Sequence, residues 1–248
     1  MPLDALRVSM LQQAHIVNAV RETPRTVLLH VALGEPLPFK AGQAVLIGAP
    51  AAARRPYSIA VGPTESANAR TITLLVGIGD DGTPGPHLPV TAPGTPVVIE
   101  GPLGTFVYSP DAAERSILFV AGGSGIAPLR SMLHEALATN PPPAVSVLYS
   151  ARTPEEFAFD AELSALAQEG RVKYRRTVTR EADPSWHGDR GRISRAHLEV
   201  LVDGPGTLCF VCGPAALVHE VPRMLGEIGI APARIRVEEW ALPRAPAS

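Results

Sequence analysis

The run Val120-Ala121-Gly122-Gly123-Ser124-Gly125-Ile126-Ala127-Pro128 constrains this chain more than any other. The apolar residues Ile117 to Val120 lead into it, and beyond it Leu129, Met132, Leu133, Ala136 and Leu137 share one helical face. The passage therefore reads as strand, glycine turn and helix, with Pro128 where the opening of a helix tolerates it. Glycine lets the backbone turn sharply and approach a ligand closely. The first free N–H groups of the helix and its positive dipole end favour an anion, so a phosphate is the natural occupant. The spacing is neither G-x-G-x-x-G nor G-x-x-x-x-G-K-[ST]. It is not G-x-S-x-G either, which removes the hydrolase elbow reading of Gly123-Ser124-Gly125.

The surroundings divide the chain in two. Up to about Ser109, short β-rich segments alternate with Pro and Gly: Ala14 to Val20, Thr26 to Ala32, Ala44 to Gly48, Arg55 to Ala60, Thr71 to Val76 and Pro96 to Glu100. Such spacing predicts an antiparallel β-barrel over residues 1–110. From Ser116 the pattern changes to strands at 117–121, 144–149, 172–178 and 208–212, alternating with helical stretches at 129–138, 155–168, 195–201 and 215–228. That is the layout of a parallel α/β sheet, here assigned to residues 111–240, with a Pro/Ala tail over 241–248 expected to be disordered. A chain of 248 residues that is 46% hydrophobic can bury two modest cores.

A net charge of −2 and the lack of a Lys/Arg run give no reason to expect nucleic acid. No apolar run is long enough to span a membrane, and Met1 to Leu11 lacks the layout of a secretion signal, so a cytoplasmic location is expected. Cys209 and Cys212 lie three apart on a predicted strand and point to opposite faces, which argues against a disulfide. An iron–sulfur cluster needs about four thiolates, so redox chemistry would come from an organic cofactor. The histidines show no H-x-x-H or H-x-x-x-H spacing, and no metal is assigned.

Taken together, the motifs resemble the ferredoxin–NADP reductase superfamily, which pairs a flavin-binding barrel with a nicotinamide-nucleotide domain. The likeness covers nearly the whole chain and keeps the family's order. Arg55-Pro56-Tyr57-Ser58 resembles the flavin motif, Gly101 to Phe106 the segment closing the barrel, and Gly122 to Pro128 the nucleotide loop. Tyr149 to Glu156 is similar to the nucleotide-ribose segment, Cys212-Gly213-Pro214 to the nicotinamide-side motif, and Glu238-Glu239-Trp240 to the family's acid and terminal aromatic.

The resemblance implies roles. Arg55 would pair with a flavin phosphate, Tyr57 would line the isoalloxazine, and Ser58 would hydrogen-bond near N5, where charge develops as hydride arrives. Gly82-Thr83-Pro84-Gly85 falls where the family has G-x-x-Ser/Thr over the pyrophosphate. Its hydroxyl position is Gly85 here, with Thr83 as a substitute donor. Gly122, Gly123, Ser124 and Gly125 would face the dinucleotide pyrophosphate and Cys212 would contact the nicotinamide. Trp240 would either cover the flavin or clasp the sheet, and Glu238 or Glu239 would either relay a proton or simply face solvent. Ser150, Arg152 and Arg180 favour NADPH over NADH, because an Arg accommodates a 2′-phosphate.

The expected activity is that of an FAD-dependent NAD(P)H oxidoreductase passing electrons to a separate carrier such as ferredoxin or flavodoxin, or to an oxygenase component. The alternatives are a reductase of free flavins or small acceptors, and a non-catalytic flavoprotein relay subunit. Weak flavin retention would mark the first. Bound flavin without NAD(P)H oxidation would mark the second.

Overall fold

The protein is described by a computed structural model covering residues 10–109, 114–180 and 184–239. Segments rich in Val, Ile, Leu and Thr form six antiparallel strands: β1 (Met10–Thr23), β2 (Thr26–Leu33), β3 (Ala44–Gly48), β4 (Arg55–Ser58), β5 (Thr71–Gly77) and β6 (Pro96–Leu103). Their order is β4-β3-β6-β1-β2-β5, and a bridge between Ile59 and Leu74 draws the two edge strands together into a nearly closed barrel. Period-two alternation turns Leu29, Val31 and Leu33 of β2 inward, where they meet Ile16, Ile47, Leu74 and Ile99. This barrel core is one of three apolar clusters among the described residues.

The second half is α/β: β7 (Ser116–Gly122), α1 (Ile126–Leu137), β8 (Ala144–Ala151), α2 (Asp160–Gln168), β9 (Lys173–Val178), β10 (Asp189–Arg190), α3 (Arg195–Glu199), β11 (Leu208–Gly213), α4 (Ala215–Glu227) and β12 (Ile235–Glu239). All neighbours pair in parallel, in the order β10-β9-β8-β7-β11-β12. Every residue of β7 and β11 is buried, as a sheet covered on both faces requires. Cys212 packs into the cluster on one face and Cys209 into the cluster on the other, and no disulfide joins them. Among the described residues, no helix is long and apolar enough to cross a membrane.

Three elements differ from the sequence reading. The helix expected over 155–168 begins only at Asp160. Pro154–Glu156 makes a 3₁₀ turn, Phe157 is extended and Phe159 takes a left-handed φ of 60°, which allows both phenylalanine rings to bury. The Phe159 N–H also donates to Glu22 of β1 at 2.6 Å, a contact no local pattern encodes. The strands β10 and β12 went unread because they are short, charged edges that exist only through pairing with β9 and β11. The tail at 241–248 lies outside the described residues.

α1 is covered on both sides. Its Ser131 hydroxyl donates to the Val61 carbonyl of the barrel half at 2.9 Å, and the Arg130 Nη1 donates to Ala60 at 2.7 Å. The same guanidinium grips Glu162 of α2 through Nε at 2.6 Å and Nη2 at 2.7 Å, and reaches Glu65 at 3.2 Å. This clamp holds the two halves against each other and so fixes the space between them.

Candidate functional site

The strand order reverses at β7. The chain runs outward through β8 and β9, then returns to place β11 on the other side, so the helices that follow β7 and β11 pack on opposite faces of the sheet. A crevice at such a switch point is where open α/β sheets take ligands. Glycines let the parts approach there. A Cβ on Gly122 would stand 2.8 Å from the Pro214 ring, and one on Gly125 only 2.3 Å from the Cys212 carbonyl oxygen. Gly123, at φ 54°, opens onto empty space. The first turn of α1 carries neither an acidic residue nor a side-chain cap, leaving its N–H groups and dipole for an anion. Tyr149 secures the turn, donating to the Gly123 carbonyl at 2.9 Å and accepting from the Ala158 N–H at 3.3 Å.

A cleft of about 1000 Å³ runs from this turn to the barrel. Arg55, Pro56, Tyr57 and Ser58 form its barrel wall, together with Thr83 and Gly85. The facing wall holds Gly122, Gly123 and Ser124, flanked by Ser150 and Arg152 on one side and Gly213 and Pro214 on the other. Tertiary structure thus joins segments separated by more than a hundred residues. Other residues singled out in the sequence stand behind this surface. Gly82 shapes the turn before Gly85, its N–H bonded to Gly79, while Gly125 and Pro128 are buried at the start of α1. Cys212 is buried below the floor, with Glu238 beside it on β12 in direct register. Arg180 is exposed past the end of β9, its N–H bonded to the Arg152 carbonyl. Trp240 lies outside the described residues.

The electrostatics are uneven across the cleft. Ser58 is 2% exposed and among the described residues its Oγ has no hydrogen-bond partner, an orphan that burial makes costly. Burial lifts the Tyr57 hydroxyl to about 12, against the opposing pull of Arg55. Beside it His87, also 2% exposed, is lowered to about 4 by burial and then by the Arg55 charge. Under the floor, burial pushes the Glu238 carboxyl up to about 7, although a hydrogen bond from the Cys212 thiol at 3.8 Å works the other way. Arg152 is partly occupied by Glu156, 3.1 Å from its Nε.

Sequence reasoning passed over Tyr149 as a site residue, His87 and Arg192. Tyr149 lies within a buried strand, and only its contact to Gly123 reveals its part. His87 meets Tyr57 across thirty positions of sequence, through loop packing alone. Arg192 reaches the cleft because it follows β10, one of the strands that went unread.

Comparison with known proteins adds a family match, three relatives and two solved structures. Residues 119–222 match the family model described as an oxidoreductase NAD-binding domain. Ferredoxin–NADP reductase B of Sorangium cellulosum is 34% identical over 221 residues, which cover 84% of this chain and 87% of that protein. The reductase subunit of an aromatic O-demethylase from an Amycolatopsis species is 30% identical, over 96% of this chain and 70% of its own length. An NADPH oxidoreductase of Mycobacterium tuberculosis is 33% identical, but this chain spans only 60% of its length. Among solved structures, the Amycolatopsis cytochrome P450 reductase GcoB superposes with a TM-score of 0.82 at 28% identity, covering 96% of this chain and 73% of that one. A ferredoxin NADP⁺ reductase from Neisseria gonorrhoeae, solved with FAD and NADP, superposes at 0.78 over 92% of this chain and 98% of its own; at 22% identity it speaks for the fold.

Proposed function

This chain belongs to the ferredoxin–NADP reductase superfamily, and we propose that it is an FAD-dependent oxidoreductase that takes hydride from NAD(P)H and delivers electrons to a separate protein. Ferredoxin, flavodoxin or an oxygenase component is the class of acceptor. Ferredoxin is named in the Sorangium reductase, and a monooxygenase system together with ferredoxin in a reductase component from Xanthobacter autotrophicus. Residues 1–110 serve as the flavin domain and 111–240 as the nucleotide domain, in the cytoplasm.

One observation carries the reading. A buried, unpartnered Ser58 hydroxyl faces the same cleft as a helix N-terminus stripped of acidic residues. These groups fit a flavin on the barrel side and a dinucleotide on the sheet side. When bound, the isoalloxazine ring accepts two electrons as hydride and releases them singly. Arg55 neutralises phosphate charge, Tyr57 supports the ring, and the Ser58 hydroxyl donates where negative charge develops. The N–H groups around Gly122, Gly123 and Ser124 hold the dinucleotide's diphosphate, while Gly213 and Pro214 leave room for the nicotinamide. Cys212 shapes that subsite from below, and Glu238 holds a proton next to the Cys212 sulfur. Ser150 and Arg152 meet the adenosine ribose, and Arg152 with Arg180 favours NADPH, NADH being the weaker donor. Because hydride moves only when donor and acceptor stand at roughly 3–3.5 Å, positioning is the main contribution of the protein.

A specific observation also keeps the free-flavin reductase reading in view. The Thr83 hydroxyl donates to Asp81 at 2.9 Å, so the substitute for the hydroxyl missing at Gly85 is already engaged. An absorbance spectrum of the purified protein, followed by anaerobic addition of NADPH or NADH, separates the readings. A retained flavin band that bleaches, faster with NADPH, is expected. No NAD(P)H oxidation even with added FAD would refute the reductase assignment.

A further inference from the structure

His87 is the best-placed group that the proposed function does not use. Its Nε2 lies 2.9 Å from the Tyr57 hydroxyl, and the two rings are nearly parallel, 13° apart with centroids at 5.8 Å. A phenol is a strong donor and a poor acceptor, whereas a neutral imidazole nitrogen accepts well. The Tyr57 hydroxyl therefore donates to Nε2, and the remaining ring proton is fixed on Nδ1. The neutral form is secured by burial and by the Arg55 charge, which hold His87 at about 4.

Among the described residues Nδ1–H then has nothing to donate to. The atom is buried and unpartnered, a condition that costs about 1–3 kcal/mol unless an acceptor arrives. Its surroundings indicate which acceptor. Gly85 lines the cleft, and in the space its Cβ would take the nearest atom is His87 Nδ1, 3.9 Å away. Arg55, close enough to lower both neighbouring groups, adds positive potential to this corner. One nearby side-chain donor, the Thr83 hydroxyl, is turned to Asp81. The backbone is set firmly, since the His87 carbonyl accepts from Ala49 N–H at 2.7 Å and Leu88 N–H donates to Gly85 at 3.0 Å.

We propose that His87 Nδ1–H binds a phosphate oxygen of the flavin nucleotide, entering through the gap at Gly85 and standing in for the hydroxyl that residue 85 lacks. This rests on the flavin reading above. It makes Tyr57 and His87 a relay in which the tyrosine fixes the tautomer and the imidazole contacts the ligand.

Two near-isosteric substitutions separate the roles. In His87→Gln the amide overlies Nε2 and keeps the Tyr57 contact but provides no donor at Nδ1. In His87→Asn the amide nitrogen overlies Nδ1 and keeps the donor. Apo-protein is titrated with FAD and, separately, with riboflavin, which has no phosphate, and binding is read from flavin fluorescence. A hydrogen bond to a charged group predicts that His87→Gln weakens FAD about ten- to a hundredfold, with riboflavin unchanged and His87→Asn within about threefold of wild type. Equal FAD affinity in His87→Gln and wild type, or equal losses for FAD and riboflavin, would overturn the proposal. Wild-type protein that binds no FAD would instead sink the flavin reading itself. Nitrogen-15 NMR of wild-type His87 gives a check independent of any variant: the Nδ1–H tautomer, with its resonance shifted by FAD but not by riboflavin, is expected, and the Nε2–H tautomer would refute the assignment.

Discussion

Replacing Arg130 by Met tests the clamp between the two halves. The Met side chain keeps the apolar stem but removes two hydrogen bonds to Glu162, one to the Ala60 carbonyl, the reach to Glu65 and a cation–π contact with Phe159 at 5.1 Å. Burial alone would raise the Glu162 carboxyl. Hydrogen bonds from His134 and Arg130, and their charges, win instead and hold it at about 2, against an ordinary 4.5. At about 1.4 kcal/mol per pH unit that shift corresponds to about 3 kcal/mol. His134 keeps its own bond to Glu162 and Glu162 is 31% exposed, so the part lost with Arg130 is about 1, and the orphaned Ala60 carbonyl adds about 2. A loss of about 3 kcal/mol lowers Tm by roughly 6–12 °C at this chain length. Thermal unfolding monitored by circular dichroism gives the number, and Arg130→Met with Glu162→Gln should recover much of it by removing the stranded charge. The pH profile follows from the sign. A depressed carboxyl contributes stability in full above about 4.5, and that contribution fades as pH falls from there toward 2, less steeply in the Arg130 variant. A Tm within about 2 °C of wild type, or no recovery in the double variant, would refute the reasoning.

Two further outcomes are expected. Arg152→Ala with Arg180→Ala should raise the KM for NADPH by at least about tenfold more than that for NADH, measured by steady-state kinetics; equal changes would remove the 2′-phosphate assignment. Glu238, raised by burial, favours the folded state while protonated, so its contribution is lost as pH rises from about 4.5 through 7. Denaturant titrations at pH 5 and pH 8 should show Glu238→Gln flattening that decline, and an unchanged pH slope would contradict the raised carboxyl.

Much of the site was legible because its chemistry is local. The turn at Gly122–Gly125 and the Arg55–Ser58 segment carry their meaning within a few residues, where backbone freedom, charge and a hydroxyl follow directly from residue type. The helix expected at 155–168 failed for the opposite reason. Nothing near Phe159 announces that Glu22 of β1 will take its N–H, or that its ring and that of Phe157 will be drawn inward. Cys212 and Glu238 could each be singled out in the sequence. Their meeting in adjacent strands needed the pairing of β11 with β12, a strand too short and charged to be read by itself.

By itself the sequence determined the barrel-then-α/β layout, the phosphate-ready turn and the residues on both sides of the cleft, since periodicity and glycine spacing act through short-range sterics. Only the tertiary structure decided how the two halves face each other, why Ser58 is left without a partner, and that His87 stands behind Tyr57. Those depend on which distant atoms exclude water from a polar group, and desolvation is a property of the packed molecule.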